Sequence, residues 1–60
     1  MYKGDYKDKH GYRYIIRYIT LGLYNGKYSV YCRDRDMGTM YYTPVNLRLW
    51  IGRNSLIKVS

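Results

Sequence analysis

The side chains in this sequence with reactive potential are few and scattered. Cys32 and His10 are the only thiol and the only imidazole. Cysteine catalysis needs an exposed, activated thiolate beside a positioned imidazole. A strand register that turns Cys32 inward, with His10 in a charged N-terminal arm, supplies neither. Metal binding needs several His, Cys or carboxylate ligands converging on one point, and one His in a charged arm with one Cys in a strand does not provide them. Asp34 and Asp36 flank Arg35 in a polar stretch and read as a solvated turn. The six glycines stand singly and form neither a phosphate-cradling loop nor a dinucleotide fingerprint. No enzyme activity, metal or cofactor is expected.

The remaining chemistry belongs to a surface. Eleven Lys and Arg face four Asp and Glu, giving a formal net charge of +7 in 60 residues. Such a balance implies an anionic partner: nucleic acid, an anionic membrane surface or an acidic protein face. Ten tyrosines, one tryptophan and no phenylalanine accompany the charge. Tyrosine joins a large apolar ring to a hydroxyl that needs a partner, which suits half-buried and interface positions. It is also a good strand former, and a small β domain can use it in place of phenylalanine. Tyrosines interleaved with cations are the physical recipe for single-stranded nucleic acid, whose bases stack on rings while Lys and Arg neutralise phosphates.

These residues are positioned by short strands. Asn25-Gly26 lies between alternating runs and predicts a two-residue type I′ hairpin. The register then pairs Tyr24 with Lys27 and runs outward as Leu23 with Tyr28, Leu21 with Val30 and Ile19 with Cys32, and these last three pairs form the core face. The opposite face carries Tyr18, Thr20, Gly22 and Tyr24 beside Lys27, Ser29, Tyr31 and Arg33. Extended backwards, this phase would bury Arg13 and Arg17, which is costly without partners. A bulge near residues 16–18 is therefore expected, turning Tyr14 and Ile16 inward.

Residues 1–11 read as a mobile arm or an edge strand, and residues 12–60 as one small β domain. Asp34 to Gly38 is a loop, and residues 39–43 form a third strand. Thr43-Pro44 is a helix start with Thr as N-cap, and Gly52 is a candidate C′ residue. Leu47, Leu49 and Ile51 instead alternate as the inner face of a strand, with Arg48 and Trp50 outside. The combined reading is a short helical turn over residues 44–47 followed by strand character to Ile51, with a final strand in residues 56–59. Trp50 is then either an outward anchor or a core residue closing one end. Mainly β architecture follows: a small, strongly bent antiparallel sheet or SH3-like barrel of four or five short strands. A three-stranded sheet carrying one short helix is the alternative.

One resemblance supports the barrel. Tyr2-Lys3-Gly4, a tyrosine-rich strand, a hairpin to Val30-Tyr31-Cys32-Arg33, and an aromatic pair running into Thr43-Pro44-Val45 and Leu47 resemble a group of tiny SH3-like proteins of phages and bacteria. The likeness covers residues 12–51, with Thr43 where the group carries arginine. It implies the fold, a mobile-element origin and action by binding.

The functional expectation is a small basic binding protein. Its face would comprise Arg17, Tyr18, Tyr24, Lys27, Tyr31, Arg33, Arg48 and Trp50, widened by Arg13, Arg35 and Arg53. Nucleic acid, with single strands favoured, is the expected partner. The alternative is a phage-type inhibitor or adaptor docking on an acidic face of a larger host protein, since Tyr, Trp and Arg also dominate protein interfaces. An edge strand also offers pairing to a second copy of the chain. No apolar run approaches the ~18 residues of a membrane span, so no membrane partner is expected. A lone cysteine needs no oxidising compartment, which points to the cytoplasm, or to a host's cytoplasm if the chain is phage-encoded.

Overall fold

A computed structural model describes all 60 residues. Five strands, β1 (Gly4–Lys7), β2 (Arg13–Tyr18), β3 (Tyr28–Cys32), β4 (Thr39–Tyr42) and β5 (Ile57–Lys58), form one antiparallel sheet in the order β4-β3-β2-β1-β5. A single helix, α1 (Pro44–Arg53), lies between β4 and β5 in the chain. The first four strands are a meander, and the helix and β5 return from one edge of the sheet to the other. β4 and β5 sit at opposite edges and do not pair, so the sheet is open rather than closed into a barrel.

The β2–β3 register departs from the Asn-Gly expectation. Val30 pairs with Ile16, not Leu21, and Tyr14 pairs with Cys32. That slip of five residues is odd, so it moves the leucines off the core face and β2 needs no bulge. Tyr14 and Ile16 point inward and Arg13 and Arg17 outward along a continuous strand. The physical reason is visible in what each register buries. The observed one covers Tyr14, Ile16, Val30 and Cys32 and keeps both arginines in water. Asn25-Gly26 does form a turn, closed by Lys27 N–H donating to the Tyr24 carbonyl at 3.0 Å. Only Gly26, at φ +86°, is left-handed there, whereas type I′ needs both central residues so. The turn sits at the β3 end of a longer loop, tied at its base by Ile19 N–H to Lys27 carbonyl, 2.9 Å, and Gly26 N–H to Ile19 carbonyl, 2.8 Å.

Residues 4–7 are not an arm or an edge. β1 pairs with β2 on one side and β5 on the other, and Tyr6 enters the core. Gly4, at φ +144°, is required here. A Cβ would lie 2.5 Å from the Ser60 carbonyl and 2.7 Å from Lys58 Cε.

The segment after Pro44 is a full helix, so the expected strand through Ile51 does not form. Thr43 Oγ1 accepts from Asn46 N–H at 3.2 Å, and Pro44 occupies the first turn, the arrangement the sequence predicts. Helical spacing then gathers Leu47, Trp50 and Ile51 on one face at i, i+3 and i+4, while Leu49 and Val45 turn to solvent. The helix runs past Gly52. Its end is a Schellman motif, with Leu56 N–H bonding the Ile51 carbonyl at 3.0 Å and Ser55 N–H bonding Gly52 at 3.2 Å. Ser55, at φ +55°, occupies the left-handed position expected of a glycine.

The core lies between the inner sheet face and α1: Tyr6, Tyr14, Ile16, Tyr28, Val30 and Cys32 from the sheet, Leu47 from the helix and Leu56 from the return. Cys32 is a buried small hydrophobe. Two of the core tyrosines bond their hydroxyls at its rim. Tyr6 donates to the Tyr2 carbonyl at 2.6 Å and Tyr14 to Asp8 Oδ2 at 2.9 Å.

Candidate nucleic-acid interface

Because α1 covers one face of the sheet, alternation leaves the other face bare. Three register rows cross it. Asp5, Ile15, Tyr31 and Thr39 form one, and Arg17, Ser29 and Tyr41 another. Lys7 and Arg13 form the third, reached from β3 by Arg33, whose N–H donates to the Arg13 carbonyl at 2.8 Å. Tyr31 is 49% exposed at the middle of this face. With Ile15, Arg17, Ser29 and Thr39 it lines a shallow groove of about 330 Å³.

The β2–β3 loop adds a second aromatic element. Tyr24 folds back from the loop and stacks on Tyr41, with ring centroids 3.8 Å apart and planes 3° from parallel. Lys27 Nζ lies 5.8 Å from the Tyr24 ring, a cation–π arrangement. Tyr41, which sequence reasoning passed over, thus belongs to the face. Its signal was available, since it alternates with the inward-facing Met40 and Tyr42 on the third strand.

The cations differ in availability. Arg13 grips Asp34: its backbone N–H donates to Oδ2 at 2.7 Å, Nε to Oδ2 at 3.3 Å and Nη2 to Oδ1 at 3.0 Å. This pairing raises the Arg13 pKa and holds the Asp34 carboxyl below its ordinary value. Arg35 lies 4.5 Å over the Tyr12 ring and donates to the Tyr14 hydroxyl. Both arginines are committed to structure. Asp8 anchors the same corner, accepting from the Tyr14 hydroxyl and from the Tyr12 and His10 amides at 3.0 and 2.9 Å. Burial acts to raise the Asp8 pKa, but these bonds outweigh it and leave the carboxyl below its usual range. Burial first, then the bond to Asp8, raises Tyr14. Arg17 and Arg33 form no salt bridge and are exposed.

The expected site therefore divides. Arg17, Tyr24, Lys27, Tyr31 and Arg33 come together on or beside the bare face. Tyr18 does not, because its register with Tyr28 places it on the helix side, 5.0 Å from the Tyr28 ring centroid. Trp50 packs inward, 5.5 Å edge-on to Tyr14 and 5.7 Å from Tyr42, which is the core role rather than the anchor. Arg48 and Arg53 are exposed on α1, away from the bare face. Asp34 is spent on Arg13, and no group of three His, Cys, Asp or Glu side chains could hold a metal ion.

Fold and face define a small open-faced antiparallel sheet backed by one helix. Comparison with protein-family models, curated proteins and solved structures returns no match. No helix is long and apolar enough to cross a membrane.

Proposed function

We propose that this protein binds single-stranded nucleic acid on the bare face of its sheet. The observation that carries the reading is the exposure of Tyr31, at the centre of an uncovered antiparallel sheet, within a groove bordered by the unpaired cation Arg17. An exposed aromatic on a flat β face is a platform for an unstacked base, each stack contributing ~1–3 kcal/mol. Arg17, Arg33 and Lys27 border the rings where a phosphate backbone would pass. A strand of splayed bases fits this flat surface; a duplex, whose bases are stacked inside, offers Tyr31 nothing to stack on. The reading places the protein in the cytoplasm, where its reduced cysteine and a nucleic-acid partner are both at home.

The test is a titration of labelled single-stranded and duplex DNA and RNA at two salt concentrations. Three phosphates neutralised by Arg17, Lys27 and Arg33 give a log–log salt slope of about −2 for single strands, at ~0.7 per phosphate. Tyr31→Ala weakens binding about tenfold without changing that slope, and Arg17→Ala lowers the slope by ~0.7. Salt-independent binding, or a Tyr31→Ala variant that binds as the parent does, overturns the assignment. No binding at low salt redirects the search to an acidic protein partner.

A further inference from the structure

The sequence register buries Leu21 and Leu23; the structure exposes them, at 84% and 89%. They stand on a loop that is built rather than slack. The bonds at its base are joined by Asn25 N–H to the Gly22 carbonyl at 3.2 Å, and Gly22 and Gly26 hold φ of +85° and +86°. The loop turns Tyr24 back onto the sheet and sends both leucines out. In so short a chain, two apolar side chains held this far into water mark a contact surface.

Charge identifies the occupant. No Asp or Glu occurs between Asp8 and Asp34, so the hairpin that carries the leucines is wholly cationic, with Arg17 and Lys27 at its base. Lys3 and the 87% exposed Met1 lie at the same end of the sheet, lining a broad depression of about 710 Å³ with Arg17, Tyr18 and Thr20. The one acidic side chain there, Asp5, accepts from the Ser60 hydroxyl at 3.0 Å. Behind the tip lie half-exposed tyrosines: Tyr18 at the end of β2, and Tyr24 stacked on Tyr41. An apolar tip, then amphipathic rings, then cations is the sequence of environments met on entering an anionic bilayer from its acyl boundary outwards.

We propose that the β2–β3 loop docks on an anionic phospholipid surface, with Leu21 and Leu23 entering the headgroup–acyl boundary and Arg17, Lys27 and Lys3 meeting the headgroups. The proposal concerns docking on a surface, not crossing it, and does not depend on the nucleic-acid reading. That reading uses the face of the sheet and this one its end; Arg17 stands at the border of both and Lys27 beside it, whereas Leu21 and Leu23 serve this one alone.

The test is co-sedimentation of the full chain with phosphatidylcholine vesicles with and without phosphatidylserine. The protein sediments with the phosphatidylserine vesicles. Leu21→Asp with Leu23→Asp lowers the partition coefficient at least about tenfold, and Leu21→Ser with Leu23→Ser lowers it in the same direction, guarding against a fold lost to the added charge. Leu21→Ile with Leu23→Ile retains binding. Circular dichroism of all these variants, and oligonucleotide titration of the uncharged Ser and Ile variants, stay at parent values. Failure of the parent to sediment with phosphatidylserine vesicles overturns the proposal, as does a Ser variant that partitions as the parent does, which would leave charge alone at work. Loss of oligonucleotide binding with unchanged vesicle binding assigns the leucines to the nucleic-acid site and overturns it equally.

Discussion

Leu47→Ala and Leu49→Ala, measured as a pair, discriminate the helix from the strand that the sequence also permits. On a strand the two side chains lie on one face, and their truncations cost alike. On α1 they are two positions apart, some 200° round the helix; Leu47 is 0% exposed and Leu49 56% exposed. Leu47 is the buried residue of the helix, seated in the core with Val30 and Ile16. Its truncation removes buried methyl groups and leaves a cavity, at a cost of about 2–5 kcal/mol. A 60-residue domain has a total stability of roughly 3–9 kcal/mol, so Leu47→Ala removes a large share of it and lowers Tm by roughly 10 °C or more. Leu49→Ala stays within about 0.5 kcal/mol of the parent. The assay is urea denaturation followed by Trp50 fluorescence, because that indole rests on Tyr14 and Tyr42 and reports helix docking directly. Equal losses for the two variants, or a Leu47→Ala loss below about 1 kcal/mol, would refute the helix packing and the bare face that follows from it.

Acid sensitivity follows from Asp8 and Asp34, whose carboxyls are held below their ordinary values in the folded chain. A lowered native pKa contributes stability above the unfolded value, near 4, and loses it as pH falls through the native one. Denaturation midpoints taken from pH 6 downwards therefore fall below about pH 4, less steeply for Asp34→Asn and Asp8→Asn; curves parallel to the parent would discount these contacts. At the helix end, Ser55→Gly relieves a left-handed residue and stabilises by up to about 1 kcal/mol, read as a raised urea midpoint. A lowered midpoint would show that the serine side chain contributes more than the backbone costs.

The sequence was most legible where chemistry is local. Thr43-Pro44 specified its helix start because a cap and a missing N–H act within one turn. The alternation of Tyr28, Val30 and Cys32 specified the inner face of β3 because period two is carried by consecutive residues. The register between strands was not legible, although its governing cost was: unpaired Arg13 and Arg17 stay in water. Asn25-Gly26 suggests a tight two-residue hairpin, and in the fold it closes the β3 end of a longer loop. For Leu47 to Ile51 both periods fit the residues, and the core beneath α1 selected the helix. Of the candidate site, Arg17, Tyr24, Lys27, Tyr31 and Arg33 gather at the sheet's bare side, while Tyr18 moved with the register and Trp50 with the helix. Tyr41 entered through a stack with Tyr24 that no local pattern encodes.

The helix and β5 form a strap over a meander whose own pairings are all between neighbours in sequence. Each hairpin of the meander closes a short loop, whereas Tyr6 meets Lys58 only across nearly the whole chain, and distant closures come late. Loop-closure entropy thus favours forming the meander before its cover, and without that cover Tyr6, Tyr14, Tyr28 and Val30 face water. A partly formed sheet with two open faces is the species most prone to cluster with its copies. A net charge of +7 opposes such clustering through repulsion between the copies.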